Sequence, residues 1–140
     1  MLKRLRKAHP RGAAIKRREQ ELQISVVRFL EVALPDDVFF FHVPNGGKRR
    51  KREAAIFKAM GVKAGVPDIP FLHDGRCFLI ELKADDGTLS DNQKAAHKFI
   101  RKAGCPVAVC RSLGEVEQQL REWKIPLHAT LFAPFVRSAA

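Results

Sequence analysis

Cysteine is too scarce and too irregularly spaced here for a fold held by cross-links or by zinc. The three cysteines, Cys77, Cys105 and Cys110, are an odd number without metal-ligand spacing, which argues against a disulfide scaffold and a zinc finger. No apolar run approaches the roughly 18 residues of a membrane span. The basic N-terminus lacks the apolar stretch of a secretory signal. We therefore expect a cytoplasmic protein with reduced thiols and no membrane association.

The motifs of several enzyme classes are also missing. The sequence contains no Gly-rich phosphate loop, no dinucleotide fingerprint and no Cys/His nucleophile pair. We therefore expect no organic cofactor. Four histidines show no ligand spacing, and we interpret them as structural or surface residues: His9, His73, His97 and His128.

Acidic residues are few, and the basic excess is concentrated in two blocks. The chain of 140 residues has 26 Lys and Arg against 15 Asp and Glu, a net charge of +11, and 46% hydrophobic residues, enough for the core of one domain. Residues 1–18 contain eight Lys or Arg and no acid, and residues 48–52 add five more cations. Since the two blocks carry +13, the other 117 residues sum to −2. The body of the protein is nearly neutral and bears two basic segments.

Such blocks are suited to neutralising the phosphates of a nucleic acid, because each contact releases condensed counterions. For residues 1–10 a disordered, solubilising tail is an equally good interpretation. The second block lies inside the domain, after a loop signal, where five adjacent cations repel one another unless an anion is near. We predict nucleic-acid contact there, from Asn45, Gly46, Lys48, Arg49, Arg50, Lys51 and Arg52.

Hydrophobic periodicity predicts an α/β domain. Helical spacing covers 19–34, with Leu22, Val26, Phe29, Leu30 and Ala33 on one stripe. Strands are expected at 38–43, 69–73, 77–83 and 106–110, and helices at 53–60, 90–104 and 113–123. The result is a mixed sheet of about four strands. We predict a flexible basic arm over 1–18, a domain over 19–124 and a tail of uncertain structure over 125–140.

Two acids and a lysine are expected to meet at one end of a hairpin. Asp68 opens the first hairpin strand, Glu81 lies near the end of the second, and Lys83 projects to the same face as Glu81. Asp74-Gly75 is a strong turn signal between the strands. Two carboxylates beside an ammonium suit a hard cation such as Mg²⁺ and phosphodiester hydrolysis. The alternative is a surface salt bridge without catalytic function.

Three further residues have two interpretations each. Glu19 lies on the apolar stripe of the first helix, which favours a third metal ligand, although an exposed position near the helix N-terminus is the alternative. Gln93 is explained by the capping box Ser90-Asp91-Asn92-Gln93, and could also support a ligand or contact phosphate. His42 is either a half-buried strand histidine or a DNA contact.

Taken together, these residues resemble the PD-(D/E)XK nuclease superfamily, and more closely the virus-type replication-repair nuclease (VRR-NUC) domain in its small stand-alone form. The resemblance covers roughly 19–123. It rests on Glu19-x-x-Leu22-Gln23, HVPNGGKRRKRE at 42–53, GVKAGVPD at 61–68, FLIELKADDGTLSDNQ at 78–93, and Gly104-x-x-Val107.

The resemblance implies a restriction-endonuclease-like core of order α-β-β-β-α-β, with a short extra helix after the first strand and a C-terminal helix. It implies Mg²⁺ or Mn²⁺ held by Asp68, Glu81, Glu19 and the main-chain carbonyl of Leu82. Lys83 would be the catalytic lysine, and Gln93 the glutamine of the following helix.

The resemblance also implies a homodimer like Holliday-junction resolvases, which nick opposing strands of branched DNA. The chain would then be bacterial or phage-encoded, and associated with the nucleoid when bound to DNA. Alternatives are the same chemistry on a flap, an end or ordinary duplex, a restriction or toxin nuclease without a visible target-recognition domain, and a basic binding module whose acids are structural.

Overall fold

The computed structural model describes residues 10–44 and 50–131. Predictions for 1–9, 45–49 and 132–140, including those for Asn45, Gly46, Lys48 and Arg49, lie outside the described residues. Four helices and four strands follow one another in the order α1 Pro10–Ala33, β1 Val38–Phe40, α2 Lys51–Ala59, β2 Ile69–His73, β3 Arg76–Leu82, α3 Asp91–Lys102, β4 Val107–Cys110 and α4 Leu113–Glu122.

The strands form one mixed sheet in the order β1-β2-β3-β4, which confirms the predicted α/β class. β1 and β2 pair antiparallel, β2 and β3 pair antiparallel, and β3 and β4 pair parallel. Asp74 and Gly75 have φ of 49° and 69°, the left-handed conformation that a tight two-residue hairpin requires. No helix within 10–44 or 50–131 is long and apolar enough to cross a membrane.

Two elements differ by three residues or more from the predicted extent, and the others by at most two. α1 begins at Pro10, nine residues before the expected start at Glu19, so half of the predicted flexible arm is helical. Arg18 helps to hold this extension, because its Nη2 donates to both carboxylate oxygens of Asp86, at 2.8 and 3.0 Å. β1 ends at Phe40 instead of residue 43. Beyond it the chain faces Pro70, whose nitrogen has no hydrogen to donate to the ladder.

The core lies on one face of the central strand β3. Phe78, Ile80 and Leu82 alternate along the strand and join a cluster that contains Val26 and Leu30 of α1, with Val116 and Leu120 of α4. The predicted apolar stripe of α1 is confirmed, because its buried residues are Val26, Leu30 and Ala33. Glu81 and Lys83 alternate with these core residues and therefore belong to the opposite face of the sheet.

α2 contrasts with the other helices because none of its residues is buried. Arg50 is its N-cap and Lys51 and Arg52 begin its first turn, all three exposed. We call these three residues the basic margin. Glu53, also in the first turn, is the acid expected near a helix N-terminus.

Candidate active site

Asp68 and Glu81 are brought together by the β2–β3 hairpin, as the sequence predicted. Ile69 pairs with Ile80, so one further step in the antiparallel register sets Asp68 opposite Glu81. Asp68 Oδ2 accepts a hydrogen bond from the backbone N–H of Leu82 at 2.8 Å. Lys83 lies two residues beyond Glu81 on the same face of the strand. We call Asp68, Glu81 and Lys83 the carboxylate centre.

Burial makes both acids poor anions. The Glu81 side chain is only 2% exposed, and its pKa is raised to about 8, first by desolvation and then by the nearby Asp68 charge. The pKa of Asp68 is also raised, chiefly by desolvation, although the hydrogen bond from Leu82 opposes this shift. Two carboxylates that resist ionisation side by side are arranged to receive a cation or a proton.

Lys83 and Glu19 complete the charge distribution. Lys83 Nζ lies 3.8 Å from Glu81 Oε1 and 3.8 Å from Glu19 Oε1. Glu19 Oε1 also accepts from the backbone N–H of Ala84 at 3.3 Å. A Cβ on Gly87 would come within 2.7 Å of Glu19 Oε1, so a side chain there would require the Glu19 carboxylate to shift. The predicted helix-borne acid is thus at the site, turned toward the lysine and the residue after it.

Gln93 forms the predicted capping box and also contacts Glu81. Ser90 and Gln93 form the predicted capping box: Ser90 Oγ accepts from the Gln93 backbone at 3.2 Å, and Gln93 Oε1 accepts from the Ser90 backbone at 2.9 Å. The other end of the same amide, Nε2, donates to Glu81 Oε1 at 2.6 Å. The cap of α3 therefore also fixes one oxygen of Glu81.

His97, interpreted from sequence as structural or surface, lies directly behind the carboxylate centre. Its side chain is 1% exposed, and its Nε2 is 3.7 Å from Glu81 Oε2. Burial lowers the pKa of the ring, and the charges of Arg101 and Lys83 act in the same direction. A signal did exist in the sequence, because His97 follows Gln93 by four residues and so shares its face of α3.

Sequence reasoning also missed two arginines that hold the loop after β3. Arg111 Nη1 donates to the carbonyls of Ala84, Asp85 and Gly87 at 2.6, 3.3 and 2.8 Å. Arg18 of α1 forms a salt bridge with Asp86 of the same loop. The loop begins immediately after Lys83, so the two arginines constrain the end of the strand that carries the carboxylate centre. No local pattern could reveal contacts across 24 to 68 residues.

The loop before Asp68 is fitted against the start of α3. Gly65 has a φ of +79°, and a Cβ there would lie 2.3 Å from the carbonyl oxygen of Asn92. Only glycine permits both the backbone conformation and the contact. Asn92 precedes Gln93, so this packing links the segment that ends at Asp68 with the helix that holds Glu81.

The carboxylate centre opens onto a cleft of about 1350 Å³ between α1 and the end of the hairpin. Lys16 and Arg28 of α1 line the cleft and add positive charge to its wall. His42 also lines it, and its Nδ1 lies 3.0 Å from the main-chain oxygen of Asp68. His42 is exposed, which disagrees with the half-buried strand histidine and leaves it accessible from the cleft.

The candidate metal ligands include both side-chain and main-chain oxygens. Across residues 10–44 and 50–131, no three His, Cys, Asp or Glu side chains are grouped so as to hold a metal ion by themselves. Asp68, Glu81 and Leu82 nevertheless line the same cleft. Oxygen donors from two carboxylates and a main-chain carbonyl are the type that Mg²⁺ and Mn²⁺ prefer.

Both the sequence and the fold of this chain are similar to those of known proteins. The family model of the VRR-NUC domain matches residues 15–113, a span that contains the carboxylate centre, Glu19 and Gln93. The chain belongs to the VRR-NUC domain family. Among solved structures, a protein named "VRR_NUC domain protein" is similar, with a TM-score of 0.60 and 26% sequence identity over 75% of this chain and 86% of that chain. No curated protein matches the sequence.

Membership confirms the resemblance drawn from the sequence and identifies the four-stranded sheet with its helices as a VRR-NUC-like nuclease fold. VRR-NUC is a nuclease-type domain, which implies DNA as the substrate. The match begins at residue 15, within α1, and therefore includes residues 15–18, which the sequence assigned to a flexible arm.

Proposed function

We propose that this VRR-NUC domain is a divalent-metal-dependent endonuclease that hydrolyses phosphodiester bonds in DNA. One observation carries the proposal: Asp68, Glu81 and Lys83 line a single cleft, and Gln93 holds Glu81 there at 2.6 Å. A surface salt bridge would be exposed, whereas Glu81 and Lys83 are buried. Burial of charged groups is costly and is characteristic of functional sites.

The residues that would hold Mg²⁺ or Mn²⁺ are Asp68, Glu81 and the main-chain carbonyl of Leu82, with Glu19 as a further ligand. The fit rests on the oxygen donors that line one cleft and on the raised pKa of both hairpin acids. When bound, the cation would polarise the scissile phosphate and make water a stronger nucleophile.

Lys83 and Glu19 would supply charge to the site and orient the reacting groups. Lys83 places an ammonium beside Glu81, where it would orient the attacking water and offset negative charge developing on the phosphate. Glu19 lies 3.8 Å from the same ammonium and would keep it directed into the cleft. Among the described residues that line the cleft there is no cysteine, and Ser90 Oγ is engaged in the cap of α3, so attack by water would be direct, without a covalent intermediate.

DNA would be bound through its phosphates. Lys16 and Arg28 line the cleft, and the basic margin adds three exposed cations at the start of α2. Three cations at a helix N-terminus oppose the helix dipole, so an anionic partner is the natural reason for their position. We extend the same role to Asn45, Gly46, Lys48 and Arg49.

Branched DNA is the proposed substrate and a homodimer the proposed assembly, following the resemblance to junction resolvases. A four-way junction presents two equivalent strands, and two copies of one cleft would cut them as a pair. Light scattering at cleavage concentrations tests the assembly, and a monomer mass would contradict it.

A cleavage assay in Mg²⁺ and in Mn²⁺ tests the proposed chemistry and substrate together. The substrates are a four-way junction, a 5′ flap, linear duplex and single strand, and Asp68→Ala protein is the control. We expect paired, symmetric nicks on the junction, and no cleavage by Asp68→Ala protein that still binds DNA. Cleavage of the flap or plain duplex would retain the chemistry and reject the branched substrate. Intact binding without cleavage of any substrate would favour a non-catalytic binding module.

A further inference from the structure

His97 is buried at the back of the carboxylate centre, away from the cleft. It follows Gln93 by one helical turn, and its Nε2 lies 3.7 Å from Glu81 Oε2. The ring is not among the residues that line the cleft, so it cannot touch DNA or water there. Any influence on the reaction must therefore pass through Glu81.

Both sides of this contact have unsatisfied polar atoms. Within the described residues, Glu81 Oε2 and both ring nitrogens of His97 are buried without a hydrogen-bond partner. A buried polar atom without a hydrogen-bond partner destabilises the folded protein. A movement of less than about 1 Å would bring Nε2 within hydrogen-bonding distance of Oε2 and satisfy one atom on each side. By comparison, the other oxygen of Glu81 already accepts from Gln93.

We propose that His97 is a positioning residue whose Nε2–H donates to Glu81 Oε2. With Gln93 on Oε1 and His97 on Oε2, each oxygen of Glu81 has one donor, and the rotation of the carboxylate is fixed. Each oxygen keeps a further lone pair with which it could bind a cation. Partners of this kind orient metal ligands, and their loss typically lowers metal affinity about 10–100-fold. The inference rests on the proposed metal-dependent function.

The test compares three variants of the full chain. His97→Leu removes the donor and replaces the ring with an apolar side chain of similar volume. His97→Gln can return an amide N–H near the Nε2 position, whereas His97→Asn is too short and reaches only the Nδ1 position. Mn²⁺ affinity is measured by calorimetry, with the Mg²⁺ dependence of cleavage and thermal unfolding as parallel measurements.

We expect His97→Leu and His97→Asn to weaken Mn²⁺ binding about 10–100-fold, and His97→Gln to restore most of it. A packing role alone would move the unfolding temperature and leave Mn²⁺ affinity unchanged. Equal affinity of the wild type and His97→Leu would overturn the proposal, as would equal losses in the Gln and Leu variants.

A measurement on the wild type covers the case in which the variants do not fold. Long-range ¹H–¹⁵N spectra of the imidazole report its tautomer, and we expect the proton on Nε2. A proton on Nδ1 alone would reject the proposal. If the proposed nuclease activity were wrong but the role of His97 right, wild-type protein would bind Mn²⁺ with the same dependence on His97 and would cut no DNA. Wild-type protein that binds no Mn²⁺ would reject both.

Discussion

The carboxylate centre and the basic margin differ in nearly every physical respect. Glu81 and Lys83 are buried and contacted from two strands and two helices, whereas the margin is exposed on a helix without a buried residue. Catalytic groups require fixed distances, so they are held by hydrogen bonds in a low-dielectric setting. Phosphate contacts require charge within reach, and geometry matters less. The two regions should therefore respond differently to substitution, pH and salt.

Removal of the lysine should produce the largest effect. Lys83→Ala is expected to lower the cleavage rate at least about 100-fold, because the ammonium beside Glu81 is lost. DNA affinity, measured with Ca²⁺ in place of Mg²⁺, should remain close to wild type. Single-turnover cleavage and fluorescence anisotropy provide the two measurements.

Lys98→Ala is the matched control, since Lys98 is an exposed lysine of α3 that does not line the cleft. It should cleave and bind as the wild type does. An equal loss in both variants, or a loss of binding in step with cleavage after Lys83→Ala, would contradict the division between centre and margin.

The centre should also make stability depend on pH in chelated protein. The pKa of Glu81 rises from 4.5 to about 8 on folding, so the folded state binds this proton more tightly. Its stabilising contribution is complete below about pH 4.5 and is lost as the pH rises through about 8. The loss should be on the order of a few kcal/mol, and Asp68 contributes with the same sign.

Urea unfolding between pH 5 and pH 9 in EDTA measures this dependence. Glu81→Gln, which stays neutral, should flatten the curve. At the proposed site Mg²⁺ would compete with the proton for Glu81, so Mg²⁺ affinity should rise with pH over the same range. Parallel stability curves for the wild type and Glu81→Gln would show that Glu81 is ionised in the folded protein.

The loop that joins the two regions should tolerate alanine at one glycine only. Gly61 and Gly65 both have positive φ, +95° and +79°, but a Cβ at Gly61 meets nothing within 4 Å. Gly61→Ala should cost only backbone strain, about 1–2 kcal/mol. Gly65→Ala adds a clash with Asn92 and should cost at least about 3 kcal/mol. Thermal unfolding distinguishes them, and equal losses would mean that the loop moves away from α3 without penalty.

Local signals were enough to predict the parts of the site that depend on register and capping. Asp74-Gly75 fixes the hairpin, and the hairpin sets Asp68 opposite Glu81. The capping box fixes the start of α3 at Ser90. These features require only neighbouring residues, so the sequence contains them in full.

Features that depend on distant partners were missed. The position of His97 behind Glu81 follows from the packing of α3 against β3, which helical spacing alone does not specify. The early start of α1 depends on Arg18 and Asp86, 68 residues apart, and the early end of β1 depends on Pro70 in another strand. In each case the decisive atom belongs to a different element.

Loss of charge at the basic margin should have the smallest effect on chemistry and a specific effect on salt dependence. Lys51→Gln with Arg52→Gln removes two exposed cations, so the slope of log affinity against log salt should fall by about 1.8. The rate at saturating DNA should not change, because neither residue lines the cleft. Lys98→Gln with Lys102→Gln removes two exposed cations from α3 and should leave the slope unaltered.

Equal slopes for the two double variants would mean that DNA affinity responds to net charge alone. A lower rate at saturating DNA for Lys51→Gln with Arg52→Gln would mean that α2 takes part in catalysis.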